Sequence, residues 1–366
     1  MSEAVRVAIL GTAGYVGGEL CRLLVTHPRA KLVRAVSKSQ AGKRLDSAHR
    51  HLRGATDLVF SDASPLDAAE GVDVVFLALT HRESQQAVMA LRPRLEDSKG
   101  PVVIDMSGAF RLLDPAQYAS AYAEEHHAPD LLGTFVYAIP ELGPAGGLKG
   151  ARRISSPGCF ATAAALAAGP LVTSGKVKGT IVLNGVTGAS GSGAQPKDTT
   201  HFPMRDGNFK AYRVLSHQHE PEVAQTLDRL AGAGSCLWPV PGERDAKTPY
   251  VPIVFTTHSG PFTRGIYMTC VAELTSTADA PYVLAEFQQR YAGSRFVRLV
   301  DEPAELKGLA GTNHADVHLA VRGRQVVVTC AIDNMGKGAA GQGVQAMNLA
   351  LGLPEDDGLT FAGFTP

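Results

Sequence analysis

Residues 5–24, VRVAILGTAGYVGGELCRLL, decide the fold. Val5 to Leu10 form a short apolar run that reads as a strand. Gly11 to Gly18 follow at once, and Glu19 to Leu24 then place apolar residues at helical spacing. A strand that breaks into glycines and reopens as a helix is the context in which such glycines bind a phosphate. They let the backbone approach a pyrophosphate, whose charge is stabilised by the helix N-terminus. The Gly11-x-x-Gly14-x-x-Gly17 spacing differs from GxGxxG, and a glycine-rich connection without a ligand is the plainer alternative.

Further strands are expected at 31–36, 73–79 and 101–105. Their apolar runs lack alternation, which suits a parallel sheet covered on both faces. The expected fold class is therefore α/β, with a Rossmann-like doubly wound NADP-binding domain over residues 1–156. Beyond it, strands at 180–186, 250–257, 265–274 and 325–332 and a helix at 281–291 predict a second, α+β domain over 157–333. Residues 187–213 read as a long functional loop. A small-residue helix near the C-terminus is expected to pack back on the first domain and complete it with residues 334–354. An acidic residue at the end of the second strand would mark NAD. Here that segment is Ser37-Lys38-Ser39-Gln40, whose hydroxyls and cation favour a 2′-phosphate and hence NADP; a solvated basic loop is the alternative.

The 366 residues carry 35 basic and 35 acidic side chains, which gives no electrostatic footprint for nucleic acid or an anionic membrane. The start is expected to be neither a signal peptide nor a membrane span. Cys21, Cys159, Cys236, Cys270 and Cys330 are scattered, with no CxxC, which points to a reducing, cytoplasmic setting rather than a disulfide or zinc framework. His126-His127 and His217-x-His219 have no partner at a metal-ligand spacing, and no metal is expected.

Cys159 stands apart. In Ser155-Ser156-Pro157-Gly158-Cys159-Phe160 a Pro-Gly turn delivers it to an alanine-rich helix start. Unpaired N–H groups and the helix dipole there favour a thiolate and could hold an oxyanion; a buried structural thiol is the alternative. His217 and His219, just before a Pro-started helix, are candidates to activate it or shuttle a proton. Arg111 and Arg264 are cations able to grip a carboxylate or phosphate, or to form surface ion pairs.

Eight segments together resemble the N-acetyl-gamma-glutamyl-phosphate reductase family, within the wider semialdehyde dehydrogenase group. They are GTAGYVGGEL (11–20), VYAIPEL (136–142), SSPGCFATAA (155–164), TGASGSG (187–193), HQHEPEV (217–223), TRGI (263–266), GTN (311–313) and DNMGKGAAGQGVQAMNLALG (333–352). The resemblance implies an NADP(H)-dependent acyl-phosphate reductase of arginine biosynthesis, assembled as a dimer or tetramer. It makes Cys159 the nucleophile and His217 or His219 the acid/base. Gly11, Thr12, Ala13, Gly14, Tyr15, Val16 and Gly17 would line the pyrophosphate, and Ser37 and Lys38 would face the 2′-phosphate. Asn334, Gly336 and Lys337 would lie near the nicotinamide, while Ser190, Gly191, Arg111 and Arg264 are candidates for the substrate's phosphate and carboxylate. Ala109 stands where the family commonly has Asp, which leaves Arg111 without a local carboxylate. HLRGATDLVF (51–60) and APDLLGTFVYAIPEL (128–142) also resemble a sister group that reduces an aminoadipyl phosphate on a small acidic carrier protein. Pro157 favours the acetylglutamyl substrate. A non-catalytic NADP-binding redox sensor would leave Pro-Gly-Cys and His-x-His without a purpose.

Overall fold

A computed structural model describes residues 3–143, 146–232 and 251–364. Cys236 and Tyr250 lie outside the described residues. The first sheet holds β1 (Val5–Leu10), β2 (Ala30–Val36), β3 (Phe60–Ser61), β4 (Val74–Leu77), β5 (Val102–Asp105), β6 (Val136–Tyr137) and β7 (Arg153–Ser155). Their order is β3-β2-β1-β4-β5-β7-β6, and every pairing is parallel. β4 and β5 are buried along their whole length, as unbroken apolar runs require when both faces are covered.

The second sheet is mixed. It holds β8 (Val177–Thr187), β9 (Lys210–Tyr212), β10 (Ile253–Ser259), β11 (Ile266–Leu274), β12 (Val297–Leu299), β13 (Ala315–Arg322) and β14 (Gln325–Ile332), in the order β12-β13-β14-β11-β8-β10-β9. β8–β10 and β12–β13 pair parallel, and the other neighbours antiparallel. β11 alternates buried and more exposed residues, as expected of a sheet whose two faces differ. Helix Cys159–Thr173 packs on the inner face, and the residues Phe160 to Val172 are all buried. Its alanines supply helix propensity and let it lie close to the sheet.

The last helix, Gly341–Leu351, returns to the first domain. Val344, Ala346 and Met347 share a core with Val7, Ile9, Leu20 and Phe76. Gly343 sits against Met106 and Phe76, where a Cβ would lie 2.8 Å from the Met106 sulfur. One turn of π-helix, Gly336–Ala340, precedes it, a local widening common near functional sites. The stretch expected as one loop at 187–213 contains short helical turns and β9, which adds to the sheet edge beside β10. Among the described residues, no helix is long and apolar enough to cross a membrane.

Candidate active site

The glycine loop joins β1 to helix Tyr15–Leu24. Gly11 has φ +82°, and the Ala78 carbonyl lies where its Cβ would be, so a side chain there is both strained and blocked. A Cβ on Gly17 would lie 2.6 Å from the Gly11 carbonyl oxygen and the Thr12 Cα. Gly14 caps the helix in extended conformation without any side-chain bond, so no side chain competes for the first-turn N–H groups. These residues fit a dinucleotide pyrophosphate. The Gly11 and Thr12 N–H groups both donate to the Val36 carbonyl, at 3.0 Å each. That contact sets the loop beside Ser37 and the exposed Lys38, which follow β2. A cleft of about 770 Å³ runs between Tyr15, Gly18 and Glu19 on this helix and Ser190, Thr263 and Arg264 of the second domain.

Cys159 is the first residue of its helix and is half-buried, and Gly158 is the N-cap. The turn before it is pinned by a carboxylate. Glu222 Oε1 accepts from the Gly158 N–H at 2.7 Å and from the Tyr137 hydroxyl at 2.6 Å. Glu222 Oε2 lies 3.5 Å from Arg111 Nη1. Arg111, also buried, donates through Nε to the Ser156 carbonyl at 2.7 Å and through Nη2 to the Met106 carbonyl at 2.9 Å. Arg111 therefore has a carboxylate partner, supplied by the other domain instead of position 109. The Ala109 side chain is packed in the core with Phe110 and Leu131.

The two histidines differ. A Cβ on Gly158 would lie 2.5 Å from His219 Nε2, so this ring rests on the residue before Cys159. Its Nδ1 is buried without a partner among the described residues. His217 lies behind it. Its Nδ1 accepts the His219 backbone N–H at 3.1 Å, and its ring is set edge-on against Phe160, Tyr212 and Phe255. Burial pulls both imidazoles down, His217 to about 2 and His219 well below the ordinary value. Both are neutral at pH 7.

Three expectations are corrected here. The first is the resting thiolate. Burial pushes the Cys159 thiol up to about 11, against the smaller downward pull of Arg111 and the helix N–H groups. Desolvation outweighs the helix terminus, which favours the protonated sulfur in the free protein. Alkylation of Cys159 in the free protein, followed by peptide mass spectrometry, is therefore expected to accelerate about tenfold per pH unit above pH 7. No plateau is expected before pH nears about 11; a plateau near neutrality would contradict this picture.

The second is Arg264. Its Nε donates to Asp333 Oδ2 at 2.9 Å, and its Nη2 and Nη1 donate to Glu19 at 2.8 and 3.2 Å. Two carboxylates hold the guanidinium and tie the glycine-loop helix to the segment after β14, so Arg264 is an ion-paired wall of the cleft and not a free cation. The third is Lys337. It is fully buried and donates to Glu141 and Gln345, each at 2.6 Å, so its ammonium is committed to partners in the core. Gly336 packs on the Thr312 carbonyl, and Gly338 instead meets Cys159, where a Cβ would lie 2.9 Å from the Cys159 Cβ. Ser190, Gly191 and Asn334 do converge. Asn334 Nδ2 donates to Ser190 Oγ at 2.9 Å, and Asn334 Oδ1 accepts from the Gly265 N–H at 2.7 Å.

Sequence reading missed Glu222 and Tyr137, although both lie in the quoted segments. The available signal was a carboxylate at position 222 on the buried face of an amphipathic helix, beside Val223, Thr226 and Leu227.

Fold and site together define a semialdehyde dehydrogenase: residues 6–146 match the NAD binding domain of that family and residues 159–334 its dimerisation domain. Solved structures of aspartate semialdehyde dehydrogenase share the fold. The Vibrio cholerae enzyme II aligns over 95% of this chain and 98% of its own with TM-score 0.66 at 16% identity. The Candida albicans enzyme with NADP gives 0.62 at 15% identity over the same shares. Within that class the chain belongs to the N-acetyl-gamma-glutamyl-phosphate reductase family. It is 40% identical to the Symbiobacterium thermophilum reductase over 98% of both chains. It is 37% identical to the Methanothrix thermoacetophila reductase over 98% of this chain and 99% of that one.

Proposed function

We propose that this chain reduces N-acetyl-L-glutamyl 5-phosphate to the 5-semialdehyde, with release of phosphate and with NADPH as reductant. The observation that carries the reading is Cys159 at the start of a buried helix, with His219 on Gly158 and the Arg111 guanidinium close by. The Cys159 sulfur attacks the acyl carbon as neutral His219 takes its proton. Cys159 and Phe160, in the first turn, offer N–H groups to the carbonyl oxygen as it gains charge. Phosphate leaves with the bonding electrons, receives the proton from His219, and a thioester remains on Cys159. When bound, the reduced dinucleotide supplies the hydride that makes this thioester an aldehyde-level adduct. Collapse of the adduct expels the Cys159 thiolate, to which His219 returns a proton drawn from solvent. The buried Arg111 guanidinium adds positive potential beside Cys159, and Glu222 keeps the Gly158 turn in register. Ser190 lines the cleft beside the glycine-loop helix.

NADP is preferred over NAD because Ser37 and Lys38 stand at the end of β2, where a ribose-binding acid is missing. A second copy of this chain fits the outer face of the mixed sheet, which exposes Val254 and Val271 away from the helices. The free thiols of Cys21, Cys159, Cys270 and Cys330 suit a reducing cytoplasm.

The test is NADP reduction by N-acetylglutamate semialdehyde with and without inorganic phosphate. Turnover that depends on phosphate is expected. Turnover only with carrier-bound aminoadipate semialdehyde would move the enzyme to the sister group, and NADP binding without turnover would make it a sensor.

A further inference from the structure

The glycine loop is gripped from outside by a residue that no motif singles out. His49 follows the short helix Leu45–Ala48 and is buried. Its Nε2 lies 2.7 Å from the Thr12 carbonyl oxygen. A carbonyl only accepts, so Nε2 carries the proton and donates. Burial holds the imidazole below its ordinary value, which keeps it neutral and leaves Nδ1 bare. The same ring lies against helix Tyr15–Leu24 at Gly18, where a Cβ would sit 2.5 Å from Cε1 and 2.6 Å from Nδ1. Phe60 flanks it at 6.2 Å between ring centres.

The bond has a consequence one atom further along the chain. A trans peptide is planar, with its carbonyl and the following N–H pointing in opposite directions. Drawing the Thr12 carbonyl to His49 therefore turns the Ala13 N–H away from it. Among the described residues that N–H has no acceptor, so it is left for an anion.

We propose that His49 is a positioning residue for dinucleotide binding: by holding the Thr12 carbonyl it presents the Ala13 N–H to the pyrophosphate. Gly18 is the matching element, because any side chain there displaces the ring. The inference rests on reading the glycine loop as the dinucleotide site.

The test is NADPH affinity measured by fluorescence titration of the full-length protein. Losing one hydrogen bond of ordinary net strength corresponds to a Kd about five- to tenfold higher for His49→Leu. The KM for NADPH should rise in step, and kcat at saturation should fall far less. His49→Gln, which retains a donor, is expected to restore most of the affinity. Gly18→Ala should weaken NADPH as His49→Leu does, and it serves as the reading if His49→Leu does not fold. In the wild type, nitrogen NMR should show a neutral ring protonated at Nε2. Equal affinity of wild type and His49→Leu, or a Gln variant as weak as the Leu variant, would overturn this inference alone. A wild-type protein that does not bind NADPH would overturn it together with the dinucleotide reading.

Discussion

Replacing Cys159 with serine is expected to lower phosphate-dependent oxidation of N-acetylglutamate semialdehyde by on the order of 10⁴-fold, while NADP binding stays within about twofold of wild type. The substitution exchanges one atom at the first position of helix Cys159–Thr173. The glycine loop and β2 lie in the other domain, and among the described residues no hydrogen bond joins them to Cys159. A serine hydroxyl is much harder to deprotonate than a thiol, and an ester would be a poorer acyl donor to hydride than a thioester. The fold should survive, since Phe160 to Val172 continue to fill the core. A rate within tenfold of wild type would sink the covalent mechanism, and a lost thermal transition would show that the change is structural. Incubating the wild type with the acyl phosphate alone should add one acyl mass to the peptide containing Cys159. The serine variant should remain unlabelled.

The second large effect separates the two histidines. His219→Asn is expected to reduce kcat by about 10²- to 10³-fold with little change in KM, the range for losing a positioned acid/base. The resting state explains why the loss should be large. With the Cys159 thiol pushed up to about 11 and His219 held neutral, no thiolate–imidazolium pair waits in the free enzyme. On the proposed mechanism proton removal accompanies attack, and the neutral His219 imidazole accepts the proton. His217→Asn should cost less catalytically and more structurally. Its ring is enclosed by Phe160, Tyr212 and Phe255, and its Nδ1 anchors the His219 backbone. The expected signature is a lower melting temperature with kcat within about tenfold of wild type, since lost packing and one lost bond act mainly on stability. If His217→Asn proves the more damaging to kcat, the assignment reverses.

What the linear chain made legible was its local periodicity and its punctuation. Strand β1, the glycine turn and helix Tyr15–Leu24 follow from residues 5–24 because each depends on neighbours a few positions apart. Cys159 at a helix start is legible for the same reason, since a Pro-Gly turn and an alanine run are local signals. Edge strands such as β3, β6 and β12 are two or three residues long and owe their existence to the strands beside them, so no pattern announced them.

Charge is where local reading failed, because the strength of an ion pair or an acid depends on what lies across space. Arg264 looked like a substrate clamp until Glu19, 245 positions away, and Asp333 closed on it. Lys337 looked like part of a cofactor site until Glu141 took it into the core. Arg111 seemed to lack a carboxylate until helix Glu220–Leu230 brought Glu222 to it.

The sequence alone pointed to an α/β domain followed by an α+β domain, to a glycine loop after the first strand, and to a cysteine at a helix start with two histidines as possible partners. Only the tertiary structure placed His219, rather than His217, over the Gly158 turn before Cys159 and buried the thiol enough to favour its protonated form. Both depend on burial and on contacts between domains, and neither is written in the spacing of residues along a chain.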